Sequence, residues 1–567
     1  MNDIIDLTGE YPTPSSQIPA PPSSTSSNYE DEAEGSTPPL KWYKKVNTGK
    51  GRGGHPYVCE AIAMQTSKEP SFRYEDCKFW PFVRALNPWR VPSDVEWRGW
   101  KEYDGTIALC AIGKVVVARC TENDPWKVLW ELDIEDYPYT VAWSYHPFSC
   151  HPIIATAGQK GLIYIIDAIT KRCIRILRGH GGDITNLSFH PLHPHILSST
   201  SYDKTTRIWN ILGSDPPELP KGEKPSMNFP MGDADEGNCL VAILAGDNRG
   251  GHRGYVASAS FHPTKNAIAT VGLDRHVKIW PLPAFPRPSL KGVPTPKGYR
   301  ARIIHLPLFS STRLHEDFVD NVEWLNEYTL ITRSRRQLKI WQWLAYARYF
   351  APNDPLPKSM DPTSQDYMDS GSFMPIVTYP LGSDCWAMNL SLHRPIPFPR
   401  EDSADEDDNT VYDPLIGMVA HRQGTFTPEI ILFNPLLARD HPCDIPPPID
   451  EKRINDKVED GSDSDLDSEE DEDDDGISIS NRSRKQTSSN PNANATGTNP
   501  SLESWRLIPQ EYQTILQKHA KRGFKVSNKA TNVCNVSISP GGAEWIVGVG
   551  EPGMVFVWKM NRRWKFR

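Results

Sequence analysis

Two sets of four residues have the types and spacing that chemistry could use. They are His180, Ser199, Asp203 and Trp209, and His252, Thr270, Asp274 and Trp280. A histidine, a hydroxyl and an aspartate together can form a hydrolase triad, in which the imidazole takes the proton of the nucleophile. The same groups, joined by a tryptophan N–H, can instead satisfy one another's hydrogen bonds inside a folded sheet.

The hydrolase interpretation does not fit the surrounding sequence. The set occurs twice at similar spacing, and neither copy has the glycines of a nucleophile elbow. The sequence also has no P-loop motif. The ten cysteines are scattered without a C-x-x-C pair, which argues against a zinc site and a disulfide framework. We therefore expect a protein that is not an enzyme, with no metal and no cofactor, in which both sets are structural.

The two sets lie in two copies of one repeat. Residues 179–209 and 251–280 both begin with Gly-His and continue with Phe-His-Pro ten residues later. Each ends with a tryptophan six residues after the aspartate. A match of this density indicates a repeat architecture, and these positions are typical of WD40 blades, which are four-stranded antiparallel sheets.

Weaker copies extend the repeat along the chain. They occupy residues 107–120, 139–177, 319–343, 385–434 and 532–558. Period-2 alternation of apolar residues, as at Leu162, Tyr164 and Ile166, predicts strands rather than helices. The sequence therefore predicts an all-β, seven-bladed WD40 β-propeller. An open ring would leave an unpaired sheet edge, and we expect residues 76–100 to supply the strand that completes the final sheet.

The sequence outside the blades is polar and of low complexity. With 52 prolines among 567 residues, part of the chain cannot join a packed core. We assign residues 1–75 to a mostly disordered tail with a basic patch at 41–55, and residues 76–567 to the propeller. Long disordered insertions are expected at about residues 213–238, 284–300, 345–375, 396–410 and 436–505.

Charge and targeting signals narrow the class of protein. The formal net charge is −9, and much of it lies in two acidic runs, residues 401–408 and 459–475. The second run is either a solubilising loop or a histone-facing, kinase-targeted segment, since Ser462, Ser464 and Ser468 lie among its acids. We expect no sequence-specific nucleic-acid binding. Because signal-peptide and membrane-span patterns are missing, we also expect an intracellular protein that is not bound to a membrane.

Three stretches of the chain resemble a known family. They are residues 139–191, the repeat at 251–280, and IIHLPLFSSTRLHEDFVDNVEWL from residue 303. They are similar to the extra sex combs or embryonic ectoderm development (EED) family, the WD40 subunit of Polycomb repressive complex 2. The third stretch is the most specific, because it lies largely between blades, where general WD40 constraints do not apply. The acidic insertions and the long tail are typical of a divergent, fungal-type member.

The resemblance implies a nuclear, non-catalytic scaffold. Its partners would be a SET-domain histone methyltransferase subunit, whose helix binds one propeller face, a histone H3 tail peptide, and other Polycomb complex subunits. On the other face, family members read trimethylated H3 lysine 27 in an aromatic cage, which stimulates methylation and maintains gene silencing. Ring faces attract a quaternary ammonium by about 0.5–2 kcal/mol per contact. The competing interpretation is a different WD40 adaptor, such as a substrate receptor of a ubiquitin ligase.

Matched position by position, the resemblance implies a methyl-lysine cage. Its residues would be Phe82, Tyr139 and Trp386. Phe82 is chosen because FVRALN keeps the family's spacing, and Phe79 is its rival. The family has an aromatic residue directly after the tryptophan, where this chain has Ala387, so one wall is missing or is supplied from elsewhere. Asn186 matches a polar family position near the histone peptide.

Overall fold

The structure is built from antiparallel sheets arranged in chain order around one axis. The computed structural model describes residues 57–64, 72–82, 102–212, 239–246, 250–285, 301–381, 390–393, 415–421, 428–435, 504–507, 532–540, 543–551 and 553–561. Within these residues the strands form seven sheets. The innermost strand of each sheet contacts that of the next, and the last contacts the first. The predicted fold class, a seven-bladed WD40 propeller, is confirmed.

The first four blades follow the chain, after an N-terminal strand, β1 (Tyr57–Met64), that belongs to the last blade. Blade one contains β2 (Tyr74–Phe79), β3 (Thr106–Ala111), β4 (Lys114–Arg119) and β5 (Lys127–Asp133). Blade two contains β6 (Pro138–Tyr145), β7 (Pro152–Gly158), β8 (Ile163–Asp167) and β9 (Arg172–Leu177). Blade three contains β10 (Ile184–Phe189), β11 (Ile196–Ser201), β12 (Thr206–Asn210) and β13 (Leu240–Leu244). Blade four contains β14 (Val256–Phe261), β15 (Ala267–Gly272) and β16 (Val277–Pro281). Then β17 (Arg302–Ile304) returns to pair in parallel with β13, and β18 (Phe309–Ser311) completes blade four.

The remaining blades carry the longer connections. Blade five contains β19 (Val319–Trp324), β20 (Thr329–Ser334), β21 (Gln337–Trp343), two short helices α1 (Tyr346–Tyr349) and α2 (Ser364–Tyr367), and β22 (Phe373–Pro380). Blade six contains β23 (Leu390–His393), β24 (Leu415–His421), β25 (Pro428–Phe433) and β26 (Ser504–Leu507). Blade seven contains β27 (Asn532–Ile538), β28 (Trp545–Glu551), β29 (Met554–Met560) and β1.

No helix among the described residues has the length and apolar character needed to cross a membrane.

Strand β1 closes the ring. It pairs antiparallel with β29, so blade seven takes three strands from the C-terminal part of the chain and one from the N-terminal part. Its buried residues Tyr57, Cys59 and Ile62 join the core between blades six and seven. The two ends of the propeller are thereby held in one sheet, and the hydrogen-bonding edge of β29 is covered.

Two predicted boundaries are therefore wrong. The closing strand is 57–64 rather than 76–100, and the propeller begins inside the segment 1–75 that was assigned to the tail. A β-bulge at Glu60 shifts the alternation of buried side chains by one position. A search for strict period-2 alternation therefore does not find this strand. Residues 74–79 form the innermost strand of blade one instead.

The predicted insertions have different outcomes. Those that lie wholly or almost wholly outside the described residues are 213–238, 284–300, 396–410 and 436–505. The insertion at 345–375 is described, and it is folded rather than disordered. The Lys265 ammonium of blade four donates hydrogen bonds to the insertion's carbonyls at Ala351 (2.7 Å), Pro352 (2.7 Å) and Asp354 (3.0 Å). Its order comes from a neighbouring blade, which is why composition alone did not reveal it.

An apolar cluster fills each interface between neighbouring blades of the described chain. The cluster between blades one and two, for example, joins Val117 to Trp143 and Ile166. Another cluster, between blades seven and one, completes the circle. Because every sheet is covered on both faces, strands such as β11 and β15 are buried at all positions. β-Branched residues suit such strands, since they pack well on a pleated surface.

A hydrogen-bonded network ties the strands of blade three together. His180 Nδ1 lies 2.7 Å from the Asp203 carboxylate, and its Nε2 lies 2.7 Å from the Ser199 hydroxyl. That hydroxyl accepts a hydrogen bond from Trp209 Nε1 at 2.8 Å. Burial lowers the pKa of His180, although Asp203 opposes the shift, so the ring is neutral at pH 7 and both its nitrogens have partners. Ser199 is fully buried, which suits a structural role and not a nucleophile.

Blade four contains the same network. His252 Nδ1 lies 3.0 Å from Asp274, and its Nε2 lies 2.8 Å from the Thr270 hydroxyl. Trp280 Nε1 donates to the same hydroxyl at 2.8 Å. The structure therefore brings together all four members of each set that the repeats define.

Blade five has a third, shorter network that the repeat pattern missed. His315 Nε2 lies 2.7 Å from the Thr332 hydroxyl, which also accepts a hydrogen bond from Trp341 Nε1 at 3.1 Å. Arg335 stands where the other two copies have aspartate, and His315 Nδ1 has no hydrogen-bond partner among the described residues. Burial lowers the pKa of His315 to about 3. The signal in the sequence was a histidine at roughly the repeat distance before Trp341.

Strand β1 offers a direct test of ring closure. Ile62→Ala should lower the free energy of unfolding by about 2–5 kcal/mol, because Ile62 is only 7% exposed in the core that β1 completes. Val58→Ala on the same strand, where the side chain is 46% exposed, should change it by less than about 0.5 kcal/mol. Thermal and urea unfolding of the two variants would measure the difference. Negligible effects of both substitutions would contradict the pairing of β1 with β29.

His315 should make the propeller less stable in acid. The folded state holds the pKa of His315 at about 3, whereas a histidine in the unfolded chain takes up a proton near pH 6.5. Below about pH 6.5 the unfolded state therefore binds more protons, and a drop to about pH 5 should remove about 2 kcal/mol through this residue. Urea unfolding of His315→Gln should show a lower stability at neutral pH and a shallower decline toward pH 5. An unchanged decline would disprove this role.

Candidate functional site

The innermost strands all begin at one end of the central channel, and each one whose start is described carries a β-bulge there. The bulged residues are Glu75, Tyr139, Thr185, Ala257, Asp320 and Cys534. A bulge re-aims one side chain and bends the strand. Because the bulges recur near the start of each strand, they make these positions equivalent around the ring. We call the part of this end formed by Glu75, Tyr137, Tyr139 and Asp183 the upper mouth.

Tyr139 lies at the upper mouth between a second ring and a carboxylate. Its hydroxyl donates a hydrogen bond to Asp183 Oδ2 at 3.3 Å, and its ring centroid lies 5.5 Å from that of Tyr137. Burial, followed by the charge of Asp183, raises the pKa of Tyr139 to about 12, so that the hydroxyl keeps its proton. Within the described part of the chain, Asp183 forms no ion pair with a cationic side chain. The mouth therefore combines ring faces with an uncompensated negative charge.

Two more tyrosines extend this aromatic surface. Tyr202 and Tyr255 stack with ring centroids 4.4 Å apart, and they are 44% and 42% exposed. Burial, followed by the charge of Asp183, raises the pKa of Tyr202, which places the stacked pair in the field of the same carboxylate. Exposed rings beside a carboxylate form a surface that attracts cations.

Blade one contributes an ion pair to the mouth. Glu75 is the bulged residue that corresponds to Tyr139, and its carboxylate contacts the Arg73 guanidinium. The same guanidinium lies 3.4 Å from Glu551 of blade seven. Burial, followed by the charge of Glu75, raises the pKa of Tyr137, so these side chains form one connected group. Blade one thus has a carboxylate at the bulge position where blade two has the ring of Tyr139.

The prediction that Phe82 shares a cage with Tyr139 is wrong, and Phe79 does not replace it. Phe82 follows the far end of β2, where its ring lies 4.9 Å from Trp80 and 5.1 Å from Tyr145. Tyr145 lies six residues along β6 from Tyr139, a distance of about 20 Å on an extended strand. Phe79 is buried in the core between blades seven and one. The bulges at Glu75 and Tyr139 set the register of β2 against β6, and Phe82 lies seven residues after the bulge of β2.

Asn186 and Trp386 complete the predicted set. Asn186 follows the bulge of β10, and its side-chain oxygen accepts a hydrogen bond from the backbone N–H of Ala259 at 3.4 Å, which links two innermost strands. It also lines a cavity of about 380 Å³ farther down the channel, together with Phe82 and Tyr145. Trp386 and the neighbouring Ala387 lie outside the described residues.

Comparison with known proteins supplies the context for this site. Residues 171–210 and 247–281 match the model for the WD domain, G-beta repeat. The chain is 28% identical over 247 residues to Polycomb group protein FIE1 of Zea mays, covering 42% of this chain and 48% of that protein. It is 28% identical over 239 residues to Polycomb protein EED of Chaetomium thermophilum, covering 42% and 36%. It is 27% identical over 256 residues to Polycomb protein esc of Drosophila melanogaster, covering 43% and 53%.

The chain is similar in sequence to the Polycomb EED, esc and FIE proteins. The resemblance noted in the sequence is thereby confirmed, although the matched part spans only about half, or less, of these relatives. Solved structures agree on the fold. A chain in the Chaetomium thermophilum Polycomb repressive complex 2 aligns with a TM-score of 0.54 at 17% identity, covering 90% of this chain and 98% of that one. A chain from a structure of that complex with H3K27me3 and H3K27M aligns with a TM-score of 0.53 at 16% identity, covering 89% and 98%.

Proposed function

We propose that this protein is the non-catalytic scaffold subunit of a Polycomb repressive complex 2-type histone H3 lysine 27 methyltransferase. In this role it binds the SET-domain subunit, acts on chromatin in the nucleus, and reads methylated lysine of the histone H3 tail at the upper mouth. Reading the mark stimulates methylation and maintains gene silencing. The observation that carries the reading function is the position of Tyr139, which lies on a bulge at the channel mouth beside the Asp183 carboxylate.

The electrostatics of the mouth support a cationic ligand. The ring faces of Tyr137 and Tyr139 carry partial negative charge, and Asp183 adds a full negative charge that no described cation pairs. A methylated ammonium keeps its positive charge but is less strongly hydrated than an unmethylated one. It therefore loses less hydration free energy when it contacts aromatic rings. A partly hydrated site of this kind should therefore bind methyl-lysine in preference to lysine.

The composition of the mouth also predicts how its binding differs from that of a full aromatic cage. Glu75 stands at the position equivalent to Tyr139, and Arg73 neutralises much of its charge. One ring contact is thereby replaced by an ion pair. Each lost cation–π contact removes about 0.5–2 kcal/mol of attraction. We therefore propose weaker reading of trimethyl-lysine than in a cage of four rings.

The opposite end of the channel is the proposed surface for the SET-domain helix. Aromatic residues gather there, including Phe82 and Tyr145, around the mouth of the lower cavity. Pro81 is exposed at the same rim. Apolar, proline-rich rims of this kind suit the apolar face of an amphipathic helix. The two ends of the channel then serve two different partners.

Tyr139 provides the test of the reading function. Tyr139→Ala should weaken binding of a trimethylated H3 lysine 27 peptide by at least about tenfold, because it removes a ring contact and the group that orients Asp183. Tyr139→Phe is the matched variant, since it keeps the ring and loses only the hydrogen bond to Asp183. Calorimetry should show that Tyr139→Phe retains most of the wild-type affinity for the trimethylated peptide. Equal affinity of the wild type for methylated and unmethylated peptides would reject the reading function.

Copurification tests the scaffold function separately. The tagged full-length protein, isolated from native extract, should bring down a SET-domain methyltransferase in a salt-resistant complex, since scaffold interfaces typically bury more than about 2,000 Å². Recovery of ubiquitin-ligase components in its place would favour the substrate-receptor interpretation. The Tyr139 variants should leave this complex intact, so loss of peptide binding and loss of assembly are distinguishable.

A further inference from the structure

Blade four buries two lysines in very different surroundings. Lys265 is 3% exposed, and its ammonium donates to the three insertion carbonyls described above, which satisfies all three of its N–H groups. Lys278 is 2% exposed, yet the described residues offer its ammonium one acceptor, the Ser310 hydroxyl at 2.8 Å. Two of its N–H groups therefore lack an acceptor within the described structure. A buried ammonium in this state is costly unless another group completes its hydrogen bonds.

The nearest carboxylate is already committed to other donors. Asp274 accepts hydrogen bonds from the ring of His252 (3.0 Å) and from the backbone N–H groups of Arg253 (2.8 Å) and His276 (3.2 Å). It forms no ion pair with Lys278 among the described contacts. Burial lowers the pKa of Lys278 to about 8, with Asp274 opposing and Arg253 adding to that shift. A bound anion would raise the pKa of Lys278 again, because it favours the charged ammonium.

Lys278 faces a cavity of about 300 Å³. Its lining residues are Gly250, Gly251, Arg253, His276, Lys278, Tyr367 and Met368. Three of these side chains are cationic or can become so, and the described lining contains no carboxylate. Tyr367 adds a hydroxyl group. The cavity therefore presents several hydrogen-bond donors, and the Asp274 carboxylate, 3.5 Å from His276 Nδ1, offsets part of their positive charge.

The folded insertion forms one wall of this cavity and is fixed in place. The backbone N–H of Ser370 donates to the Ser310 carbonyl at 2.7 Å, beside the Lys278 ammonium. The Asp369 carboxylate accepts from the Thr312 N–H at 3.0 Å and from Arg313 Nε at 2.8 Å. These contacts hold the end of α2 against the edge strand of blade four, with the side chain of Met368 exposed at the rim.

We propose that this cavity binds a phosphate group, either as inorganic phosphate or as a phosphate monoester. A tetrahedral oxyanion would supply acceptors for the two N–H groups of Lys278 that have none among the described residues, and Arg253, His276 and Tyr367 line the same cavity. Lysine and arginine together are suited to phosphate, as a point charge and as a planar fork of donors. The site lies between β16 of blade four and the folded insertion, and it does not depend on the reading function of the upper mouth.

The test uses the full-length protein with inorganic phosphate and O-phosphoserine as probes, and acetate at the same ionic strength as the control anion. Lys278→Gln should weaken the binding of phosphate in calorimetry by at least about tenfold, since it removes a charge-assisted donor. Lys339→Gln is the matched control. Lys339 occupies the same repeat position in blade five, two residues before Trp341, and it is not among the residues that line the cavity at Lys278. It should leave the affinity unchanged. Equal weakening by both variants would overturn the proposal.

A measurement on the wild type guards against misfolding of the variant. Thermal unfolding should show that phosphate protects the wild type and Lys339→Gln against unfolding more than acetate does, because a ligand that binds the folded state raises the Tm, and that it protects Lys278→Gln no better than acetate does. Protection by both phosphate and O-phosphoserine would identify a monoester site, and protection by phosphate alone would identify a site for the free ion. No protection, or equal protection by acetate, would disprove phosphate binding.

Discussion

The whole structure depends on the burial of both faces of every sheet against its neighbours. A four-stranded sheet alone would leave two apolar faces in water, and only a closed ring covers all of them. The apolar clusters between successive blades form an unbroken circle within the described chain, including the one between blades seven and one. Pairing of β1 with β29 holds that circle shut. A strand of eight residues near the N-terminus is therefore as important as the tryptophans of the repeats.

The ring also determines where chemistry is possible. Because the innermost strands start at the same end and carry equivalent bulges, side chains from several blades meet there on rigid elements. Tyr139 and Asp183 come from different blades, and their hydrogen bond depends on the packing of one sheet against the next. The Asp183 carboxylate accepts this hydrogen bond but forms no ion pair among the described residues, so its negative charge attracts cations to the mouth. The same charge would serve the methyl-lysine that we propose as the ligand of the upper mouth.

The folded insertion changes the surroundings of one position of the repeat, the lysine two residues before the tryptophan. Lys278 and Lys339 stand two residues before the tryptophan in consecutive repeats. In blade four, α2 and the residues after it pack over the edge strand and convert the surroundings of Lys278 into a cavity. Lys265 holds the other part of the insertion by its three carbonyls. One insertion therefore completes the hydrogen bonds of one buried lysine and forms a wall of the cavity of about 300 Å³ that the other lysine lines.

The sequence by itself determined the number of blades and the two complete histidine networks. These features depend on residues within one repeat, where short spacing and strand periodicity are enough to predict contacts. Only the tertiary structure decided that 57–64 closes the ring, that Glu75 rather than Phe82 occupies the bulge position equivalent to Tyr139, and that the insertion after β21 is folded. Each of these depends on a bulge that changes the register or on a contact between different blades. Such interactions join residues that are distant in the chain, and no local pattern contains them.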